Sequence, residues 1–351
     1  MKKLVENLIL AAAILLTFCG FAAAQTSRTE PPVRPDANII KPPASPARSS
    51  LPPAPRIKPT PESRDTNEKS IKVDASVNLL LGCVREGKVR VNGWNRNEIR
   101  VLVSDGNKFA FRTLQKNTKT GEPVWIKLVG WESNTKYGPN SECISADRVE
   151  IDAPMNAIIT VKGLEISTFI DTVKRVDIET IGGDVSVRNI SNGVKINAGR
   201  GDITVEASDG AMSLDTTTGN ILVFEGGPSE IGDVFKAKTS SGAVALQDLE
   251  YRQIGVESVT GSVVYTGGIL SGGSYNMRTS KGSIRMTIPA NSSFQMWATY
   301  GFGNFSTEIP IDIITENITP GPIKTVRGKI GTGDATLKLT TNNGSIAVKK
   351  M

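Results

Sequence analysis

Apolar and polar residues alternate along most of this chain in runs of four to six. Val185 and Val187 fall on one side of such a run, with Ser186 and Arg188 on the other. Ile203 and Val205 repeat the arrangement, as do Ile221 and Val223, and Ile284 and Met286. Period-two alternation of this length predicts half-buried strands, and the β-branched, threonine-rich content suits a pleated surface. No segment after the first two dozen residues carries a long i, i+3, i+4, i+7 apolar pattern, so almost no helix is expected.

One phrase punctuates the strands: Thr/Ser-x-x-Gly, then Asp, Asn, Ser or Ala, then Val or Ile. It centres on Gly183, Gly201, Gly219, Gly242, Gly261 and Gly282, at intervals of 18, 18, 23, 19 and 21 residues. It returns at Gly344 after 62 residues, a gap read as about three units in which the phrase is blurred. A period near twenty predicts one structural unit copied along an axis. Glycine fits a bend that needs positive φ, and the Asp, Asn or Ser after it can bond nearby backbone.

No unit is large enough to bury its own apolar face, so the units must stack. The fold class expected is all-β, a repeat β-solenoid of the parallel β-helix type with a capping or insertion segment. The alternative is an antiparallel β-sandwich. The phrase recurs in one frame, whereas an antiparallel meander alternates its turn chemistry between two ends. Two-residue hairpin turns are also scarce, with Asn343-Gly344 and Asp209-Gly210 as exceptions.

The N-terminal part reads differently. Residues 1–24 combine Lys2 and Lys3, an apolar run from Leu8 to Phe21 and Ala22-Ala23-Ala24, which predicts a signal peptide cleaved at Ala24–Gln25. Cys19 sits in a near-lipobox, but Phe18 is too large for the position before a lipidated cysteine. Attachment to a membrane would run only through an uncleaved or lipidated N-terminus. Residues 25–66 form a proline-rich linker, with 11 of the chain's 19 prolines lying between Thr26 and Asp65. Such a segment cannot bury a core and is expected to be disordered or extended at about 3.1 Å per residue, spacing a folded head from a membrane or wall. Residues 67–351 are the β-repeat domain, with an insertion at 104–147 where the rhythm breaks. A second irregularity spans 290–325.

Export predicts an oxidising compartment, in which Cys83 and Cys143 would pair as a disulfide. Closing a loop of that length contributes roughly 3–4 kcal/mol in the chain-entropy model. The alternative is two separate buried thiols.

The chemistry expected is sparse. The chain has no histidine, which removes Ser-His-Asp and Cys-His catalysis and histidine metal sites. No cofactor is expected. Lys and Arg number 41 against 35 Asp and Glu, with no basic run interleaved with aromatics, so nucleic-acid binding is not expected. Asp184 and Asp202 share one frame and would stack about 5 Å apart in adjacent coils. They would cap turns, hold a cation weakly, or, with Glu179, serve a glycosidase-type reaction. Arg200-Gly201-Asp202 spells an RGD triplet but falls on the repeat's own frame. Trp125, Trp131, Tyr137, Trp297 and Tyr300 lie in the two irregular segments and are candidates to face a ligand, such as a sugar ring.

The phrases TTTGNILVFEG, TSSGAVALQ, TSKGSIRMTIP and TTNNGSIAVKK, with the opening GKVRVNGWNRNEIRVLV, resemble a family of exported bacterial β-repeat proteins, the putative adhesins labelled DUF4097. The resemblance covers residues 71–351. It implies a β-rich, solenoid-like exported domain without established enzymatic activity, and it supplies no active-site motif. The function expected is a non-enzymatic exported module, adhesin-like, meeting an envelope polysaccharide or surface protein from the end of a proline-rich spacer. The alternatives are a carbohydrate-active β-helix enzyme and a purely structural or regulatory envelope component. After cleavage the protein would reside in the periplasm, at the cell surface or outside the cell.

Overall fold

A computed structural model describes residues 66–131, 142–317 and 323–351. The expectations for the signal peptide and proline-rich linker, and for Tyr137, lie outside the described residues. Those residues contain 25 strands and no helix.

Each copy of the repeat is one coil of a parallel β-solenoid, as its frame predicts. Val194–Arg200 runs into the Gly201-Asp202 bend, and Ile203–Asp209 leads away from it. The next coil repeats this with Met212–Thr218 and Ile221–Gly227. First strands pair in parallel with first strands, Ile196 opposite Leu214, and second strands with second strands, Val205 opposite Val223. The inward residues of both sheets close on one apolar core that includes Val187, Ile196, Val205 and Leu214.

The bend explains the phrase. Gly201 and Gly219 take φ of +121° and +151°, in the left-handed range that glycine tolerates. A Cβ on Gly219 would overlap the carbonyl oxygen of Gly201, and one on Gly201 that of Gly183. The threonine three residues earlier is buried and turns its hydroxyl into the same column. Thr216 donates to Gly201 O at 3.3 Å, Thr239 to Gly219 O at 3.0 Å, Ser258 to Gly242 O at 2.9 Å and Thr279 to Gly261 O at 2.8 Å. Side chain and glycine are therefore coupled between adjacent coils.

At the far corner, Thr172, Asn189, Ala207, Glu225 and Asp248 are left-handed, with φ from +45° to +58°. Their preceding residues lie in register in successive coils, Asp171 opposite Arg188 and Arg188 opposite Glu206. A non-glycine residue in this conformation costs about 1–2 kcal/mol. Its recurrence makes it a stacked bulge that turns the second strand of five successive coils.

Stacking order departs from chain order at both ends. Ala335–Asn343 pairs in parallel with Ser274–Lys281 on one side and with Phe294–Phe302 on the other. The last coil of the chain thus sits inside the stack, and residues 294–307 form the outer coil. Gly344 overlies Gly282, and Gly303 overlies Gly344. The 62-residue gap therefore holds one displaced coil and an antiparallel hairpin, Asp312–Asn317 against Lys324–Ile330, rather than three blurred units in line. The hairpin covers the outer coil through Lys324–Ile330 on Phe294–Phe302.

The other end mirrors this. The long strand Asn78–Trp94 pairs in parallel with Ile158–Asp171 on its inner side and with Pro123–Trp131 and Ala146–Pro154 on its outer side. Residues 104–147 thus supply half of the outermost coil as well as an antiparallel strand, Lys108–Lys116, that covers it. Glu98–Gly106 and then Thr66–Lys72 cover the other half antiparallel. Antiparallel caps end the parallel stack on both sides, as a solenoid's exposed ends require.

Candidate functional site

The residues at the bend tie successive coils together. Asp184 Oδ1 accepts the backbone N–H of Asp202 at 2.9 Å, and Asp202 Oδ1 accepts that of Asn220 at 2.7 Å. Asn220 Oδ1 then accepts the N–H of Ala243 at 2.9 Å. The paired aspartates are rungs of a capping ladder that ties each coil to the next. Glu179 stands apart on the first-strand sheet, 2.8 Å from Lys162. The hydrogen bond from Lys162 holds the Glu179 carboxyl below its ordinary value. Among the described residues no group of three or more Cys, Asp or Glu is placed to hold a metal ion.

Cys83 and Cys143 are bonded as a disulfide, with Cα atoms 4.6 Å apart. The bridge lies where the outermost coil crosses the long strand Asn78–Trp94. Ile144 N donates to Cys83 O at 2.9 Å, and Val84 bridges Ile144. It fastens a displaced coil to its neighbour.

The candidate aromatics do not converge. Trp125 and Trp131 are exposed at 44% and 57% in the outermost N-terminal coil, six residues apart on one strand. Trp297 points outward between Lys338 and Arg327 in the outermost C-terminal coil. Ten strand spacings, roughly 48 Å, separate the two coils. Tyr300, expected to face a ligand, is instead 5% exposed. It occupies the inward position, three before Gly303, that threonine holds in other coils.

A site the sequence reading missed lies on the outward face of the second-strand sheet near its N-terminal end. Four adjacent strands carry it. In register across them stand Arg148, Lys88 and Ser167, and one step along, Glu150, Arg90, Phe169 and Ser186. Together with Arg188 and Asp184 they line a groove of about 690 Å³. Phe169 is half-buried, with the Arg90 guanidinium 5.1 Å and the Arg188 guanidinium 5.3 Å from its ring centroid.

The cations here differ in what holds them. Arg188 is fixed to Asp171 at 2.7 Å and Arg148 to Glu150 at 3.3 Å. Burial raises the Asp171 carboxyl, but hydrogen bonds from Arg188, Asn189 and Thr172 outweigh it and hold it below its ordinary value. Arg90 hydrogen-bonds the amide oxygen of Asn92, at 3.3 Å. Among the described residues Lys88 and Arg90 have no carboxylate partner. The signal available in sequence was Phe169 itself, the outward member of the alternating run Thr168-Phe169-Ile170.

Stacked parallel coils with a glycine column at the bend place the molecule in the parallel β-solenoid class. The chain belongs to the Toastrack DUF4097 family, whose sequence profile matches residues 85–349. No curated protein matches it. Among solved structures it is similar to a putative adhesin of Bacteroides fragilis, with TM-score 0.35 and 12% identity over 82% of this chain and 97% of that one. It is also similar to a putative adhesin of Parabacteroides distasonis, with TM-score 0.33 and 10% identity over 82% and 98%. A putative cell adhesion protein of Clostridium sporogenes aligns with TM-score 0.26 and 10% identity over 82% and 100%.

Proposed function

We propose that this protein is an exported, non-catalytic interaction module, with residues 25–66 spacing its solenoid from the surface that bears it. Its outward faces meet an envelope polysaccharide or a surface protein. The observation that carries this reading is the groove at Lys88, Arg90 and Phe169. There, cations without carboxylate partners among the described residues and a half-exposed ring stand on four mutually paired strands. The disulfide supports an oxidising location. The carboxylates that a glycosidase reading needs are engaged elsewhere, Asp184 and Asp202 as backbone caps and Glu179 with Lys162.

The test is saturable binding of the purified exported chain to polysaccharide and protein fractions of a bacterial envelope. Binding that resists a control protein of equal net charge is the expected result. Absence of saturable binding to both fractions would overturn the reading.

A further inference from the structure

We propose that the groove at Lys88, Arg90 and Phe169 binds an acidic polysaccharide, a chain of sugar rings bearing carboxylate or sulfate groups. The inference rests on the reading above and names the ligand class of that surface.

Three features point to this chemistry. First, the groove has surplus positive charge. Arg148 and Arg188 are neutralised by Glu150 and Asp171, but Lys88 and Arg90 extend outward with no carboxylate partner among the described residues. An anion reaching them gains charge-assisted hydrogen bonds that the protein does not already supply. Asp184 is the groove's other carboxylate, so four cations face two carboxylates along its lining.

Second, the charge stands beside a flat apolar surface. Phe169 lies in register between Arg90 and Ser186, with the Arg90 and Arg188 guanidinium groups over its ring, and the ring stays half-exposed between them. Aromatic rings with polar groups at their margin suit ligands that are apolar on one face and hydrogen-bonding at the edge. A sugar ring has that character. The hydroxyls of Ser167 and Ser186 stand beside Phe169 to meet its own.

Third, the depression is long. It adjoins a second hollow of about 520 Å³ through Lys88, Arg148 and Ser167, towards the bend. It adjoins a third of about 250 Å³ through Arg90 and Glu150, towards Arg100. Those hollows are lined by carboxylates, Asp105, Asp147 and Glu165 on one side and Glu68 and Asp152 on the other, so the positive surplus is confined to the central groove and the acidic groups of a bound chain would be held there.

The experiment titrates the full exported chain with polygalacturonate, with dextran sulfate and with neutral dextran, reading affinity by calorimetry at two salt concentrations. Binding to at least one acidic polymer and not to neutral dextran is expected. Carboxylated and sulfated chains are separated by comparing the first two. Lys88→Ala with Arg90→Ala should weaken binding about tenfold or more. Phe169→Ser should weaken it at both salt concentrations, and Phe169→Tyr, which keeps the ring, should retain it. Lys236→Ala with Lys238→Ala, on the other sheet, should leave affinity unchanged. All these residues point outward, and a matched thermal melt verifies folding of each variant. Equal weakening by the Lys236 and Lys238 pair, with Phe169→Ser silent, would show diffuse charge attraction and overturn the proposal. Failure of every acidic polymer would also overturn it. Envelope fractions that still bound, indifferent to Phe169, would leave the interaction-module reading standing. Loss of binding to both would remove the two together.

Discussion

Thr341 donates its hydroxyl to the carbonyl oxygen of Gly282 at 2.8 Å, although 59 residues separate them in the chain. The bond is the same one that Thr279 makes to Gly261, 18 residues earlier. The last coil therefore uses the ordinary coil-to-coil contact to enter the stack beneath a coil made before it. That contact lets the solenoid close both ends with displaced coils and antiparallel caps. The core between them stays uninterrupted.

Gly282 tests the close approach in isolation. Its φ lies outside the left-handed range, but a Cβ would overlap the Gly261 carbonyl. Gly282→Ala should cost roughly 1–3 kcal/mol, as overpacking does. Gly219→Ala meets the same overlap at a φ of +151° and should cost about 1–3 kcal/mol more for the backbone strain. Gly268→Ala, with open space around it, should change stability by less than about 0.5 kcal/mol. Urea denaturation midpoints for the three variants check the ranking.

Two buried threonines should respond to the same substitution with opposite signs. Thr239 is fully buried and its hydroxyl bonds Gly219 O at 3.0 Å, so Thr239→Val should destabilise by about 1 kcal/mol. Thr168 is 2% exposed, and among the described residues its hydroxyl has no hydrogen-bond partner. It lies in register between Val89 and Val185, and Thr168→Val should stabilise by about 1 kcal/mol. Equal losses in both variants would mean that the hydroxyl column contributes nothing specific.

Reducing the disulfide should loosen one end of the molecule. The loop-closure argument gives roughly 3–4 kcal/mol for the Cys83–Cys143 bridge. Because coils contact mainly their neighbours, the loss should be local. Hydrogen exchange in Cys83→Ser/Cys143→Ser should accelerate in Pro123–Trp131 and Ala146–Pro154. In Val194–Arg200 and Ile203–Asp209 it should stay at the wild-type rate. Uniform acceleration would contradict this.

Asp171 gives the solenoid an acid dependence. Burial acts to raise its carboxyl, and hydrogen bonds from Arg188, Asn189 and Thr172 more than offset that, leaving it below its ordinary 3.8. A carboxyl lowered by folding binds its proton more readily in the unfolded chain. Its stabilisation is thus present above pH 3.8 and lost as pH falls through the folded value. Between about pH 4 and pH 2 the wild type should lose more stability than Asp171→Asn. The Asp171 side-chain resonance should titrate with a midpoint below 3.8.

Much of this was legible in the chain. Alternation gave the strands, and the fixed frame of Gly183, Gly201 and Gly219 gave parallel stacking. Asp184 and Asp202 read as turn caps because they fall on that frame. Axial order was not legible, because every coil offers the same bend and the same threonine. Nothing in the phrase at Gly344 says whether it stacks on Gly282 or beyond Gly303. Tyr300 shows the same limit: an aromatic in an irregular stretch read as surface, while its coil places it inward. The groove was hidden for another reason. Lys88, Arg90, Arg148, Phe169 and Arg188 come from four strands and become neighbours only through register.

Hydroxyl-radical footprinting of the full exported chain, free and saturated with the envelope fraction it binds, tests the central claim most directly. The ring of Phe169 should lose reactivity on binding, while the exposed Trp131 and Phe302 keep theirs. Saturated binding with Phe169 as reactive as in the free protein would contradict the account.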